Sequence, residues 1–453
     1  MQKGKIKINA NTRFNMKFIR VWLLMAIAIT MHFDGISQML TTEQAVAIAL
    51  QNNYSIRLAR LNEDVLKNNY NLGLANFIPS VDATAQQNNN ITNTRQEYLS
   101  GQINEKENAK SKSLNAGVGL DWTLFDGFRM FSGYRILKEQ LQAGQLQSRL
   151  EIENTIASVL SLYYNIVELR QEVNMFEKSV QLGQARVNIA DEKLAIGAGS
   201  RLELLQARVD MNSDISQMLN LNDLIAEATI RMNVLLGRAA ETEFQVEDTI
   251  KLMPPAQLSQ LRASMEKNNV NLLLNNNDIE LAELNLKNIK GKRLPEIGAV
   301  GGYDYTKQSS ESGFIKSGRS QGIYYGLTAT WPLFNGLNQI REQKNAKILI
   351  ESAQLKYESY LAEINGQLLS TYSVYSNKLK TINLERENLE TAFTNFDIAN
   401  ERYRLGELSG FEIREAQQNL LMAEDRLISV VYQARLLEIE LLQLSGGIIP
   451  EGE

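Results

Sequence analysis

Trp122-Thr123-Leu124-Phe125-Asp126-Gly127 recurs as Trp331-Pro332-Leu333-Phe334-Asn335-Gly336, 209 residues further along the chain. The same offset runs downstream to Gly237. Ile189–Gly197 (IADEKLAIG) aligns with Ile398–Gly406 (IANERYRLG), and Ser200, Glu203, Ala207 and Gly237 align with Ser409, Glu412, Ala416 and Gly446. Upstream the offset is 216: Asn52-Asn53 matches Asn268-Asn269, and Pro79 matches Pro295. The first copy therefore carries a longer loop between Pro79 and Trp122. An offset held over this length is the mark of an internal duplication.

The residues leading into each hexapeptide alternate with period two. Leu114, Ala116, Val118, Leu120, Trp122 and Leu124 are separated by Asn115, Gly117, Gly119, Asp121 and Thr123. In the second copy Ile323, Tyr325, Leu327, Ala329, Trp331 and Leu333 alternate with Tyr324, Gly326, Thr328 and Thr330. Partner strands begin at Pro79 (Val81, Ala83, Ala85) and Pro295 (Ile297, Ala299, Tyr303 or Tyr305). Each is expected to run about ten residues, the length that crosses an outer membrane at a tilt, with aromatics near the ends. The segments joining each pair, 86–112 and 307–321, are polar and read as extracellular loops. Four strands cannot close a barrel, and lipid tolerates no open sheet edge. The strands must therefore pair between chains, as eight in a dimer or twelve in a trimer.

Outside the strands the apolar period is helical. The six prolines fall at 79, 254, 255, 295, 332 and 450, which leaves 80–253 and 333–449 free of helix breakers. Each copy reads as a helical stretch (41–77; 256–293), two strands, a long helix (127–196; 337–405), a turn, and a returning helix (200–236; 409–444). A run of about 70 residues spans ~105 Å at 1.5 Å per residue. Helices that long hold little core of their own, so coiled-coil packing is implied by apolar series such as Ile156, Val159, Leu160, Tyr163 and Val167. The organisation expected is a signal peptide at 1–37 and a first repeat at 38–237, with a hairpin near 79–125 and a tip near 197–200. A linker at 238–255 follows. The second repeat at 256–446 has a hairpin near 295–334 and a tip near 406–409, and a tail covers 447–453.

The signal reading rests on Lys17 and Arg20 before the apolar run Val21–Met31, which is too short to span a bilayer, and on Gly35-Ile36-Ser37, after which cleavage before Gln38 is expected. Cleavage takes six Lys/Arg and one Asp from a chain of net charge −5, leaving 41 basic against 51 acidic residues. That balance argues against nucleic-acid binding. The only histidine, His32, leaves with the signal, and the chain has no cysteine. No disulfide, transition-metal site or other cofactor is therefore expected. There is no HExxH, no phosphate-binding Gly-Lys-Ser/Thr loop and no GxGxxG, so no enzyme is read here.

The paired Trp-x-Leu-Phe-(Asp/Asn)-Gly strand ends resemble the TolC family of outer-membrane efflux and export proteins. So do the two tips, Leu194–Ser200 (LAIGAGS) and Tyr403–Ser409 (YRLGELS), and the opening segment Leu40–Ala45 with Ala49–Asn53. The resemblance covers about residues 39–446. Tyr54 and Val270 stand where the family often has proline, and Leu408 stands where a basic partner can occur. The resemblance implies an α plus transmembrane-β fold: very long helical hairpins forming an α-barrel, with four strands per chain in a shared twelve-stranded β-barrel of a homotrimer. It implies an exit duct in the bacterial outer membrane with a periplasmic tunnel. The duct would serve a tripartite efflux or type I secretion system, and its partners would be a periplasmic membrane-fusion adaptor, an inner-membrane pump and outer-membrane lipid. The competing expectation is a periplasmic adaptor, or a coiled-coil structural protein without a pore.

Three sets of residues carry the functional expectation. Gly197 and Gly406 suit helix C-termini, and Ser200 and Ser409 suit the N-caps of the returning helices. With Leu408 they form the tips that the resemblance assigns to adaptor docking. Glu412 and Glu415 share a helix face, so a trimer would gather six carboxylates at the tunnel end, where like charges resist closure and attract cations. By resemblance Tyr403 joins this periplasmic gate, and Glu203 is the matching acid of the first tip. Trp122, Phe125, Gly127, Trp331, Phe334 and Gly336 mark the junction between barrel and helices.

Overall fold

The computed structural model describes residues 38–254, 256–312 and 314–449. The expected signal segment and the last four residues of the tail lie outside them. The elements in chain order are β1 (Gln38–Met39), α1 (Thr42–Asn52), α2 (Tyr54–Asn69), β2 (Ser80–Glu97), β3 (Ile103–Phe125), α3 (Arg129–Ala195), α4 (Arg201–Leu235) and β4 (Phe244–Gln245). The second half gives α5 (Leu258–Asn268), α6 (Val270–Gly291), β5 (Glu296–Ser310), β6 (Ser317–Thr330), α7 (Asn338–Arg404) and α8 (Gly410–Leu444). No helix among the described residues is long and apolar enough to cross a membrane. The chain forms two compact units, one of residues 53–157, 253–377 and 437–449, the other of 38–52, 158–252 and 378–436.

The first unit holds one antiparallel sheet in the order β2-β3-β5-β6. Ser80 pairs with Asp121 and Glu296 with Thr330, so both hairpins have one register once the offsets are applied. Register brings the alternations into phase. Val81, Leu120, Gly301 and Tyr325 stand in one row; Ala83, Val118, Tyr303 and Ile323 stand in another. One face is thus a continuous apolar band. The other carries Asp82, Thr84, Asp121, Gly302 and Tyr324. Tyr324 lies over the glycines: a Cβ on Gly302 would meet its ring at 2.8 Å and would collide with the Val118 carbonyl.

The strands correct the expected length. β2 runs 18 residues and β3 runs 23, so most of the segment read as the loop 86–112 is paired strand, with only 98–102 turning. Likewise 307–310 and 317–321 belong to β5 and β6. Between Ser80 and Ser100 there is neither Gly nor Pro. With register fixed by the apolar band, the ladder continues into polar sequence because backbone pairing needs no apolar face. The ladder breaks at a bulge between Thr92 and Thr94, where the Asn93 side chain accepts from the Asn108 N–H at 2.7 Å.

The helical stretches 41–77 and 256–293 are each broken after the asparagine pair. The Asn53 side chain accepts from the N–H groups of Ser55 and Ile56 and starts α2; the Asn269 side chain accepts from Leu272 and starts α6. An asparagine cap does here what a proline would otherwise signal. Helix α2 also stops at Asn69, short of residue 77. The Asn71 amide donates to the Asn68 carbonyl at 2.8 Å, and its oxygen accepts from Leu74, closing a turn.

The second unit is helical apart from the parallel pair β1–β4. Tyr163, buried on α3, fixes that pair: its hydroxyl donates to the Leu40 carbonyl at 2.8 Å and accepts from the Glu247 N–H at 3.1 Å. Helix α3 and helix α7 are 67 residues each, and α4 and α8 are 35 each.

Candidate functional site: the helical tips and the barrel junction

Both tips lie in the second unit and are built alike. Helix α3 ends at Ala195, and Gly197 takes φ +75°; helix α7 ends at Arg404, and Gly406 takes φ +82°. A side chain is penalised in this left-handed region, and glycine is not. The Lys193 carbonyl accepts from the Ala198 and Gly199 N–H groups, and the Arg402 carbonyl from Glu407, so the last carbonyls of each helix are satisfied. Ser200 then caps α4, its hydroxyl accepting from the Glu203 N–H at 3.2 Å. Ser409 caps α8 more completely. Its hydroxyl accepts from the Glu412 N–H at 3.3 Å, while the Glu412 carboxylate accepts from the Ser409 N–H at 2.9 Å and from its hydroxyl at 2.6 Å. This is a capping box, and these bonds hold the Glu412 carboxyl below its ordinary range.

Glu412 is therefore engaged locally, while Glu415 is exposed and makes no ion pair among the described residues. Tyr403 and Glu203 do come together. The buried Tyr403 hydroxyl donates to the Glu203 carboxylate at 3.1 Å, linking α7 to α4. Burial, then the neighbouring carboxylate, pushes the phenol up to about 12. The Lys193 ammonium sits 4.2 Å from the centre of the same ring and reaches the Tyr403 carbonyl at 3.5 Å. Leu408 is half-buried and turned into the cluster Phe396, Ala399, Tyr403, Ile413 and Ala416. The apolar residues that the tips do present outward are Ile196, Leu202, Leu405 and Phe411.

Behind Tyr403 stands a network the sequence reading missed. Arg414 of α8 donates two bonds to Asp214 of α4, at 2.9 and 2.8 Å. Asp214 also accepts from the Ser179 hydroxyl of α3 at 2.7 Å, and the Gln417 amide donates to that hydroxyl at 2.7 Å. Asp210 accepts from Arg186 at 3.0 Å and lies 3.8 Å from Arg414. The fork on Asp214 holds the Arg414 guanidinium above its ordinary value. Three helices are thus tied together beside a cavity of about 820 Å³ lined by Arg186, Lys193, Glu203, Asp210, Tyr403 and Arg414, among others. A trace existed in the sequence. Ala207, Asp214, Leu221 and Ala228 are spaced by seven, and all four are buried. A lone carboxylate in an apolar heptad seam needs a buried partner.

The junction residues lie in the first unit and behave unequally. Trp122 donates its indole N–H to the Phe77 carbonyl at 3.1 Å, and Trp331 donates to the Arg293 carbonyl at 3.0 Å; these carbonyls are related by the upstream offset. Phe125 packs edge-on against Phe128 with ring centres 5.2 Å apart, and Gly127 lies against the carbonyl of Gly291. In the second copy Phe334 is 78% exposed and nothing but Asn338 approaches Gly336. Equivalent positions are covered inside the chain and bare at its edge.

This architecture, two β-hairpins in one sheet and two long helical hairpins, is that of an outer-membrane channel protein. The chain belongs to the outer membrane efflux protein family, whose model matches residues 45–238 and 265–447, and it is a protein of the bacterial outer membrane. It is 23% identical over 416 residues to the probable efflux pump outer membrane protein TtgC of Pseudomonas putida, covering 89% of this chain and 82% of that one. It is 22% identical over 339 residues to the outer membrane efflux protein BepC of Brucella suis, covering 73% and 71%. The crystal structure of the Campylobacter jejuni CmeC outer membrane channel superposes with a TM-score of 0.75 at 17% identity, over 91% of this chain and 87% of that one.

Proposed function

We propose that the chain is one subunit of a homotrimeric exit duct that carries substrates from a periplasmic adaptor–pump complex across the outer membrane. The observation that carries this reading is the sheet. Its apolar face is continuous, yet β2 and β6 each have one partner and one open edge. Lipid allows no open edge, so the edges close on other copies. Three copies give twelve strands. Bare apolar residues that follow the open strand β6 support the same closure: Trp331, Phe334, Leu337 and Ile340.

The helical tips form the adaptor-docking end, through Gly197, Ser200, Gly406, Leu408 and Ser409 in their turns and the outward Ile196, Leu202, Leu405 and Phe411. Tyr403 and Glu203, with Glu412 and Glu415, form the gate. The relatives named for efflux favour efflux over type I secretion. The rival, an adaptor without a pore, would need no apolar sheet face.

The duplication supplies a test. Within the chain Val118 of β3 faces Tyr303 of β5. Applying the two offsets places Leu327 of β6 opposite Gln87 of the partner subunit. The chain has no cysteine, so L327C/Q87C is a clean probe. Oxidation in outer membranes should give covalent species of up to three chains, and each single variant should give none. A ladder stopping at two chains, or no cross-link, rejects the trimer.

A further inference from the structure

The barrel register gathers four cations on one surface. Beyond the apolar band, Leu114 pairs with Lys307, Lys307 with Arg319, and Lys112 and Lys110 follow on β3. Side chains alternate along strands, so all four stand on the face that carries Val118, Leu120, Tyr303 and Tyr325. They are exposed, and none joins an ion pair among the described residues. At the same levels the opposite face carries Asn90, Ser111, Ser113, Thr306 and Gln308, which are uncharged. Within the strands, acids on this face appear only past the bulge, where Glu105 faces Arg95. Glu311, at the turn, is occupied by the Lys110 backbone N–H at 3.1 Å.

The sequence down this face runs apolar band, then tyrosines, then cations, in the order of a membrane interface: hydrocarbon, headgroup boundary, phosphate. Solvated lysines with no lipid role would be expected on both faces of the hairpin extension. Up to the bulge the cations Lys110, Lys112, Lys307 and Arg319 keep to the face that continues the lipid contact, and Lys106, on the other face beyond the bulge, donates to the Glu311 carbonyl at 2.7 Å. The geometry points to a belt of four cations per subunit, Lys110, Lys112, Lys307 and Arg319, that binds the phosphate groups of outer-leaflet lipid headgroups. Arg319 supplies a planar fork and the lysines point charges to the same anionic oxygens. The inference rests on the duct reading, which turns this end of the barrel outward.

The test uses the full chain purified in zwitterionic detergent, bisphosphorylated lipid A as probe, and native mass spectrometry. Wild type should retain lipid A with at least tenfold higher occupancy than K110Q/K112Q/K307Q/R319Q. The helix-surface control K344Q/K347Q should match wild type. Lipid A stripped of phosphate should bind wild type as weakly as the quadruple variant binds the intact lipid, and millimolar inorganic phosphate should not displace it. Equal retention by wild type and quadruple variant, or equal binding of the stripped lipid, overturns the belt. The same spectra report subunit number. A trimer without phosphate-dependent lipid fails this inference alone, whereas a monomer fails the duct reading itself.

Discussion

Arg414→Leu isolates the Arg414–Asp214 network behind the tips and tests the proposed gate. The substitution leaves Asp214, whose side chain is 5% exposed, with only the Ser179 hydroxyl as partner. Removing one member of a buried ion pair costs about 3–5 kcal/mol, because the remaining charge stays desolvated. The pair ties α8 to α4 directly behind the tips, so separating the tips would break it. In the proposed gate that cost falls on the closed arrangement and is absent from the open one. At 1.4 kcal/mol per factor of ten, the closed-to-open ratio of each subunit should fall by roughly two to three and a half orders of magnitude. Single-channel recording in planar bilayers reads this as a shift from rare, brief openings to sustained conductance. The swap R414D/D214R should restore closure, since it rebuilds the pair in reverse. Arg404→Leu is the control: Arg404 and its partner Glu401 are both well exposed and 3.8 Å apart, and such a pair is worth about 0–1 kcal/mol. Conductance of the intact R414L channel within twofold of wild type would refute this role for the pair, as would a swap that conducts like the single variant.

Three further outcomes follow from the geometry. Glu203→Gln should bring the Tyr403 phenol down from about 12, because the neighbouring charge is one of the forces holding it there; ultraviolet titration of wild type, E203Q and Y403F measures it, and an unchanged difference spectrum would remove the Tyr403–Glu203 link. Glu168 is raised from 4.5 to about 8, by burial first and then by Glu172. Its folded value lies above the unfolded one, so the stability tied to its proton is full below pH 4.5 and is lost as pH rises through 8. The thermal midpoint should therefore fall between pH 5 and pH 9, and Glu168→Gln should flatten that slope. Gly302→Val should block barrel assembly, since a Cβ there collides with the Val118 carbonyl and meets the Tyr324 ring; trimer yield in outer-membrane fractions checks it, and a normal yield would count against the packing described.

Much of the fold was legible because it rests on local periodicity. Period-two alternation at 114–124 and 323–330 marked strands, although the alternating pattern runs on to Leu333 past the end of β6, and the gaps between prolines marked helices. The glycines and serines at 197–200 and 406–409 marked reversals, because a left-handed turn and an N-cap each demand a particular residue. Boundaries set by competition were not legible. Asn53 and Asn269 interrupt helices whose apolar pattern runs on through them, and the β2–β3 ladder continues into polar sequence that reads as loop.

The sequence by itself determined the duplication, the alternation of strands and helical hairpins, and the identity of the turn residues, since each depends on neighbours along the chain. Only the tertiary structure decided which charges meet. Glu203 binds Tyr403, Glu412 closes a cap instead of standing free, and Asp214 receives Arg414 from a helix 200 positions away. It also decided that Lys110, Lys112, Lys307 and Arg319 share one face, because cross-strand register comes from pairing segments far apart in the chain. Partners of buried charges are chosen by packing in three dimensions, and no local pattern records that choice.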